Sequence, residues 1–259
     1  MTGPVRAFTL RGADAVAALD WLHVHADLQG VLEGDDVITV WLDGVLPALP
    51  FAALRVAEIA VRAEDALITG LEHDVAIEVA ADLWVRPPWV ERPAACRGIE
   101  LVVPRGGAFG SGEHASTRAA LRCLHAIWDA PASFADVGTG SGILALYAHV
   151  RGCGRIEACD IDPASVQAAR ELLPTARVHL GGAATLAGVD GMVANMTGSE
   201  LTAAMPEMLA RWSGRRALVL SGMRAGEVDA VAALVGRPVV HREVVEPFTA
   251  IAYAGDGAR

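Results

Sequence analysis

Three glycines and two carboxylates in one part of the chain have the types and spacing that suit a nucleoside ligand. Residues 136–142 read D-V-G-T-G-S-G at a predicted strand-to-helix turn, and Asp160 follows about one strand–helix–strand unit later. Gly138 and Gly140 permit a tight turn and a close backbone approach because they carry no Cβ, and Gly142 lets the next helix pack near the strand. Asp160 can accept hydrogen bonds from both hydroxyls of a ribose. The pattern therefore predicts a nucleoside site at this turn.

The spacing of the glycines separates this site from a dinucleotide site. A dinucleotide fingerprint reads G-x-G-x-x-G, which makes room for a pyrophosphate at the helix N-terminus. Here the glycines alternate, and Asp136 stands two residues before the first of them, where a carboxylate favours a cationic ligand. With Asp160 at its distance, the pattern resembles that of class I methyltransferases, which bind S-adenosylmethionine. A glycine-rich turn in another kind of α/β enzyme is the alternative.

The second half of the chain alternates between strand and helix patterns. We predict five strands, at 134–137, 156–159, 177–180, 192–194 and 217–220, with helices at 143–151, 164–173, 201–212 and 228–235. Two further strands, at 239–245 and 249–254, are separated by three residues. Because so short a loop cannot hold a parallel crossover, this pair must be an antiparallel hairpin. The predicted fold is α/β, a Rossmann-like, mostly parallel sheet of the class I methyltransferase kind with a terminal antiparallel strand.

The first half of the chain predicts a separate domain. Residues 1–80 read as a small α+β domain with strands at 5–10, 31–42 and 75–79, a helix from Asp14 and a second helix from Pro50 to about Val61. The two strands within 31–42 flank a Gly-Asp-Asp turn. Residues 81–107 are rich in proline and are predicted to be a linker. Residues 108–259 are the predicted S-adenosylmethionine-binding catalytic domain.

A second informative segment precedes the glycine turn. Residues 107–117 read G-A-F-G-S-G-E-H-A-S-T, which resembles the A-F-G-T-G-x-H-x-T-T signature of the ribosomal-protein methyltransferase (PrmA) family. The resemblance continues in D-I-D-P at 160–163, in A-N at 194–195 and in L-S-G at 220–222. It covers roughly residues 84–254, and it implies a two-domain enzyme that methylates amino groups of a ribosomal protein, with the small domain recognising that protein.

Two side chains are predicted to take part in the transfer of the methyl group. Asn195 follows the fourth strand, and its side-chain oxygen could accept a hydrogen bond from an amine and aim the nitrogen lone pair; a helix cap is the alternative. Phe109 could cover the cofactor, and a buried core aromatic is the alternative. His114 is either a base or a brace for its loop. The predicted cofactor-binding residues are Thr117, Asp136, Gly138, Thr139, Gly140, Gly142, Asp160, Ile161, Gly182, Ala183 and Asn195.

One departure from the family pattern leaves the acceptor open. After Asn195 the family usually continues I-L-A, whereas this chain has Met196-Thr197-Gly198-Ser199 beside the acceptor amine. The main hypothesis is a protein N-methyltransferase acting on lysine or α-amino groups of a ribosomal protein. One alternative is an enzyme of the same fold acting on another protein or a small metabolite. Another is a non-catalytic module that binds the cofactor.

The amino-acid composition limits the kinds of molecule that this protein is expected to bind. The 259 residues are 53% hydrophobic and carry a formal net charge of −10, so a general nucleic-acid binder with a basic face is not expected. The four cysteines form no C-x-x-C pair, the first residues lack the apolar core of a secretory signal, and no uncharged apolar run could span a bilayer. The eight histidines show no metal-ligand spacing. We therefore expect a cytoplasmic protein without a metal or a membrane partner.

Overall fold

The chain folds into two units. The computed structural model describes residues 5–26, 28–33, 36–43, 45–60, 75–105 and 109–257. The units are Met1–Asp74 and Val75–Arg259. Parts of the sequence-based predictions, including Gly34, Ala108 and the end of the second predicted helix, lie outside the described residues.

The first unit is an antiparallel sheet with one helix against it. Its elements are β1 (Val5–Arg11), α1 (Ala15–His25), β2 (Leu28–Glu33), β3 (Ile38–Asp43) and β4 (Arg55–Ile59). The strand order is β2-β3-β1-β4. The apolar face of α1, including Leu19 and Leu22, packs against Leu10, Val40 and Leu42 of the sheet. The α+β character predicted for this region is therefore present.

The helix predicted from Pro50 is wrong. Residues 51–54 are irregular, with Phe51 and Leu54 packed on the core of the first unit, and β4 pairs antiparallel with β1. Every residue of β4 is exposed, so the strand is held by backbone pairing and carries no burial pattern that the sequence could reveal.

The interval predicted as a linker contains regular structure. Three short strands, β5 (Ile77–Ala80), β6 (Leu83–Arg86) and β7 (Ile99–Val102), form a sheet in which β6 pairs antiparallel with β5 and parallel with β7. Leu83, Val85 and Leu101 are buried in the core of the second unit. Most of residues 81–105 is therefore part of that unit, because alternate apolar side chains anchor it there.

The second unit is built on a seven-stranded sheet. Its elements are α2 (Ala115–Ile127), β8 (Ser133–Val137), α3 (Ile143–Val150), β9 (Arg155–Asp160), α4 (Pro163–Leu172), β10 (Arg177–Leu180), β11 (Gly191–Asn195), α5 (Gly198–Arg211), β12 (Leu218–Arg224), α6 (Val228–Val235), β13 (His241–Val245) and β14 (Phe248–Tyr253). The strand order is β10-β9-β8-β11-β12-β14-β13. Five strands run parallel, while β14 runs antiparallel to both β12 and β13. The predicted mostly parallel sheet with a terminal hairpin is confirmed.

Both faces of this sheet are covered. One core lies under α2, α3 and the small sheet of β5–β7, with Leu121, Tyr147 and Val193 among its buried residues. The other lies under α5 and α6, with Met205 and Val231 among its members. Since both faces are buried, the central strands consist mostly of buried residues, predominantly apolar with a few polar side chains among them.

Candidate active site

The predicted site residues meet at one edge of the seven-stranded sheet. Because β8 to β12 are parallel, their carboxyl ends lie at the same edge, and the chain order reverses between β8 and β11. Ligands of open α/β sheets bind in the crevice at such a switch point. The glycine loop follows β8, Asp160 ends β9, Gly182 follows β10 and Asn195 ends β11.

The three glycines of the loop have left-handed backbone angles and close neighbours. Their φ values are +68° at Gly138, +52° at Gly140 and +89° at Gly142. A Cβ on Gly138 would lie 2.8 Å from the sulfur of Met196, and one on Gly140 would collide with the carbonyl oxygen of Phe109. The open side of Gly142 faces α4, with Ala169 Cα 3.2 Å from a Cβ placed there. Gly142 therefore allows close packing against α4.

Asp136 is fully buried at the end of β8. Its Oδ2 accepts hydrogen bonds from the Thr139 hydroxyl at 2.7 Å and from the Ala145 amide at 3.1 Å, so it caps α3, whose N-cap Gly142 has no side chain. Its Oδ1 is buried and lacks a hydrogen-bond partner in the part of the chain that the structure describes. Burial raises the pKa of Asp136 to about 7, against the lowering effect of its two hydrogen bonds.

Asp160 is fixed between two backbone amides. Its Oδ2 accepts from Gly140 N–H at 2.9 Å, and its Oδ1 accepts from Asp162 N–H at 3.0 Å. Each carboxylate oxygen can accept a further hydrogen bond, so the group is oriented but not saturated. The next side chain, Ile161, is 79% exposed, which places an open apolar surface beside the carboxylate.

The turn after β10 joins the same edge. Gly181 N–H donates to the backbone oxygen of Asp160 at 2.8 Å. Gly182 is exposed and precedes a single 3-10 turn over Ala183–Thr185, in which Ala183 is fully buried. At residues 182 and 183 only the backbone is thus available to a ligand, since Gly182 has no side chain and that of Ala183 belongs to the core, whereas Ala184 and Thr185 are exposed.

Asn195 carries the second unpartnered acceptor. Its Nδ2 donates to the hydroxyl of Thr117 at 3.4 Å, while its Oδ1 is buried and accepts no hydrogen bond from the residues described. Thr197 caps the following helix through a capping box with Glu200. Asn195 is therefore not the helix cap, and its amide is oriented by a side chain that is itself fully buried.

The segment after the undescribed residues 106–108 lies on the glycine loop. Ser141 binds it twice, because its N–H donates to Phe109 O and its hydroxyl donates to Gly110 O, both at 2.8 Å. Phe109 is 49% exposed, so it is not a core aromatic. His114 caps α2 by accepting a hydrogen bond from the amide of Ser116, which is the loop-bracing role.

An aromatic row borders this segment. The rings of Phe109 and His114 meet edge to face at 4.9 Å, and the His114 ring lies 4.8 Å from that of Phe248, the first residue of β14. An open depression of about 360 Å³ is lined by Phe109, Gly110, Ser111, Glu113 and His114. A larger one, about 470 Å³, lies at the opposite edge of the sheet near Asp190 and is remote from these residues.

The sequence did not single out three residues that complete this edge. Ser141 joins the two informative segments, Ser221 donates its hydroxyl to Ser116 O at 2.9 Å, and Phe248 extends the aromatic row. Ser221 was visible as a polar residue in the L-S-G segment at the end of a buried strand. The position of Phe248 depends on the pairing of β14 with β12, for which residue type gives no signal.

Two other features are absent from the described residues. None of the helices found there is long and apolar enough to cross a bilayer. Within the same ranges, no cluster of three or more histidine, cysteine or acidic side chains is arranged to hold a metal ion.

Comparison with known proteins identifies the family. A family profile described as ribosomal protein L11 methyltransferase (PrmA) matches residues 72–246. Relatives of that name from Thiobacillus denitrificans and Syntrophotalea carbinolica are 38% and 32% identical, over 61% and 71% of this chain and 54% and 62% of their own lengths. The chain thus spans little more than half of these relatives.

A solved structure shows the same fold. The ribosomal protein L11 methylase of Lactobacillus delbrueckii subsp. bulgaricus superposes with a TM-score of 0.63 at 22% identity, covering 70% of this chain and 98% of the other. The family match takes in more than half of the chain, including all the predicted site residues. The chain therefore belongs to the ribosomal protein L11 methyltransferase (PrmA) family.

Proposed function

We propose that this protein is an S-adenosylmethionine-dependent N-methyltransferase acting on lysine or α-amino groups of a ribosomal protein. Family membership supports the proposal, and the observation that carries it is the buried, unpartnered Oδ1 of Asn195. Leaving a buried acceptor unpaired costs about 1–3 kcal/mol, so such an atom at a binding edge favours a ligand that donates a hydrogen bond. The N–H of an amine is such a donor.

The residues at the edge fit S-adenosylmethionine. The glycine loop exposes backbone without Cβ atoms, Asp160 has acceptor capacity left for two ribose hydroxyls, and Ile161 offers an apolar surface for a base. The carboxylate of Asp136 has one oxygen without a partner among the described residues, which suits a cationic ligand nearby. When bound, S-adenosylmethionine supplies a methyl group already activated by its sulfonium.

The work left to the protein is mainly positioning. Holding two reacting groups in line at near-attack distance removes most of the entropic barrier. Asn195 would accept an N–H of the neutral amine and aim its lone pair, and the bond from Asn195 to Thr117 fixes the orientation of the carboxamide. A lysine acceptor must first lose its proton, since its ordinary pKa is about 10.4. The exposed ring of Phe109 would help to exclude water above the site.

The proposed partner is a basic protein in the cytoplasm. A net charge of −10 complements a lysine-rich ribosomal protein and does not favour a direct nucleic-acid contact. The four cysteines, Cys96, Cys123, Cys153 and Cys159, are unpaired and buried, which fits a reducing compartment. The 259 residues include no lysine at all, so lysines of the protein itself cannot compete for the methyl group.

The proposal is tested by transfer of radiolabelled methyl from S-adenosylmethionine into a fractionated lysate of cells that lack this protein. We expect label in one small ribosomal-protein band. Label confined to the low-molecular-weight fraction would show a metabolite acceptor, and the absence of label despite tight cofactor binding would show a non-catalytic module. Since the chain has no lysine, a labelled band at its own mass cannot be lysine automethylation.

The role of Asn195 is tested by Asn195→Ala. We expect turnover to fall by about 10²-fold, the usual consequence of losing the alignment of reacting groups, with the affinity for S-adenosylhomocysteine nearly unchanged. Gln167→Ala, which removes an exposed carboxamide on α4 that is bonded to Glu171, is the matched control and should keep both values. Equal turnover of Asn195→Ala and the original protein would remove Asn195 from the mechanism.

A further inference from the structure

Two side chains of α5 hold a single residue of the turn after β10. The Oε2 of Glu207 accepts a hydrogen bond from the amide of Ala184 at 3.1 Å, and the Nη2 of Arg211 donates to the carbonyl oxygen of Ala184 at 2.7 Å. Glu207 and Arg211 are four residues apart, so they project from the same face of the helix. We call this pair the α5 clamp.

The turn that the α5 clamp holds has little structure of its own. It is a single 3-10 turn, closed by hydrogen bonds of 3.1 Å from Thr185 N–H to Gly182 O and from Leu186 N–H to Ala183 O. Such bonds have poorer geometry than those of an α-helix, and short 3-10 segments depend on their surroundings. The hydrogen bonds from α5 to both the N–H and the C=O of Ala184 therefore do much to define the path of the backbone at this turn.

The α5 clamp lies at the edge of the sheet where the candidate site lies. Gly181, next to the turn, donates to the backbone of Asp160. A Cβ on Gly182 would lie 3.1 Å from Glu207 Oε2, which means that the glycine leaves room between the carboxylate and the turn.

We propose that Glu207 and Arg211 are positioning residues for recognition of the cofactor's purine base, acting through the Gly182–Ala184 backbone that they hold. The inference rests on the proposed function, because the base belongs to the proposed cofactor. Gly182 is exposed and has no side chain, and the side chain of Ala183 is buried, so at residues 182 and 183 only main-chain groups can recognise the base. Backbone recognition needs a fixed backbone, which the α5 clamp provides.

The test is calorimetric binding of two probes, S-adenosylhomocysteine and 5′-methylthioadenosine, which share the nucleoside but differ in the amino-acid part. We expect Glu207→Ala to weaken both by the same factor, about tenfold, because one charge-assisted hydrogen bond is lost. Glu207→Gln keeps an acceptor for Ala184 N–H and should bind within about twofold of the original protein. Glu171→Ala, which removes an exposed carboxylate on α4 bonded to Gln167, is the matched control and should change neither affinity.

Amide hydrogen exchange provides a second test of the α5 clamp. In the ligand-free Glu207→Ala and Arg211→Ala proteins, residues 181–186 should exchange faster while α5 keeps its protection. Unchanged affinities in both variants would overturn the inference, and so would a Glu207→Gln protein as weak as Glu207→Ala. If the original protein binds neither probe, the proposed function fails, and the inference fails with it. If the original protein and both variants bind the probes with equal affinity, the proposed role of the α5 clamp is refuted and the proposed function is not.

Discussion

The buried carboxyl of Asp136 should make the stability of this protein fall as the pH rises. Its pKa is raised by burial from 3.8 to about 7, so between these values the folded chain binds a proton that the unfolded chain does not. Stability decreases with pH wherever the folded state binds more protons. The neutral form therefore favours folding at low pH, and the unfavourable charge is fully present only above the folded pKa.

The magnitude follows from the shift. A shift of about three units corresponds to roughly 4 kcal/mol between the two limits, and roughly 2.5 kcal/mol of it falls between pH 5 and pH 8. Asp136→Asn keeps an acceptor for Thr139 and for the amide of Ala145 but cannot ionise. We expect this variant to lose that part of the pH dependence and to be the more stable protein at pH 8.

The assay is denaturant unfolding of the full chain at several pH values from 5 to 8, for the original protein and Asp136→Asn. All other titrating groups are common to both, so the difference between their pH slopes isolates Asp136. Asp162→Asn is the contrast. Hydrogen bonds, first that from the Ala164 amide, lower the pKa of Asp162 below 3.8, so its contribution is constant over this range. Parallel slopes for Asp136→Asn and the original protein would refute the reasoning.

Three further predictions concern ligand binding at the candidate site and the stability of the second unit. Asp160→Ala should raise the Kd for S-adenosylhomocysteine by about 10- to 150-fold, and unchanged affinity in calorimetry would exclude a contact with the ribose. Gly140→Ala should lower the thermal midpoint of unfolding far more than Gly152→Ala. Both glycines have positive φ, but only Gly140 faces a backbone carbonyl, that of Phe109. Equal shifts of the midpoint would contradict this prediction. Tyr147→Phe removes a hydroxyl bonded to His125 and Arg151 and should reduce the free energy of unfolding by about 1–2 kcal/mol in denaturant titrations; an unchanged value would show that bridge to be neutral.

The sequence predicted the second unit well because its signals are local. The central parallel strands are short, largely apolar segments followed by turn residues, and each helix between them has its own periodicity. The loop of three residues before Thr249 was enough to fix the antiparallel hairpin. Asp160 and Asn195 could be placed at one edge because the carboxyl ends of parallel strands share it.

The sequence could not predict elements whose support comes from distant residues. β4 is exposed along its length and depends on pairing with β1, and the apolar residues at 54, 56 and 59 suggested a helix instead. The strands β6 and β7 have four residues each and lie among prolines, so the sequence predicts a linker there. The hydrogen bond between Glu207 and Ala184 joins residues 23 positions apart. The helix pattern of the sequence shows only that Glu207 is on the outer face.

The reversed direction of β14 places the last turn of the fold at the edge where the glycine loop lies. Because β14 runs against β12, Phe248 begins opposite Arg224, at the carboxyl end of β12, and its ring reaches His114. A strand that lies two positions beyond the parallel strand β11 thus contributes to the rim of the candidate site. The turn of this hairpin is separate in sequence from the loops that follow β8 and β9. Under the proposed function, exchanging the hairpin of β13 and β14 would therefore change the rim of the site while leaving in place the loops that carry the predicted nucleoside-binding residues.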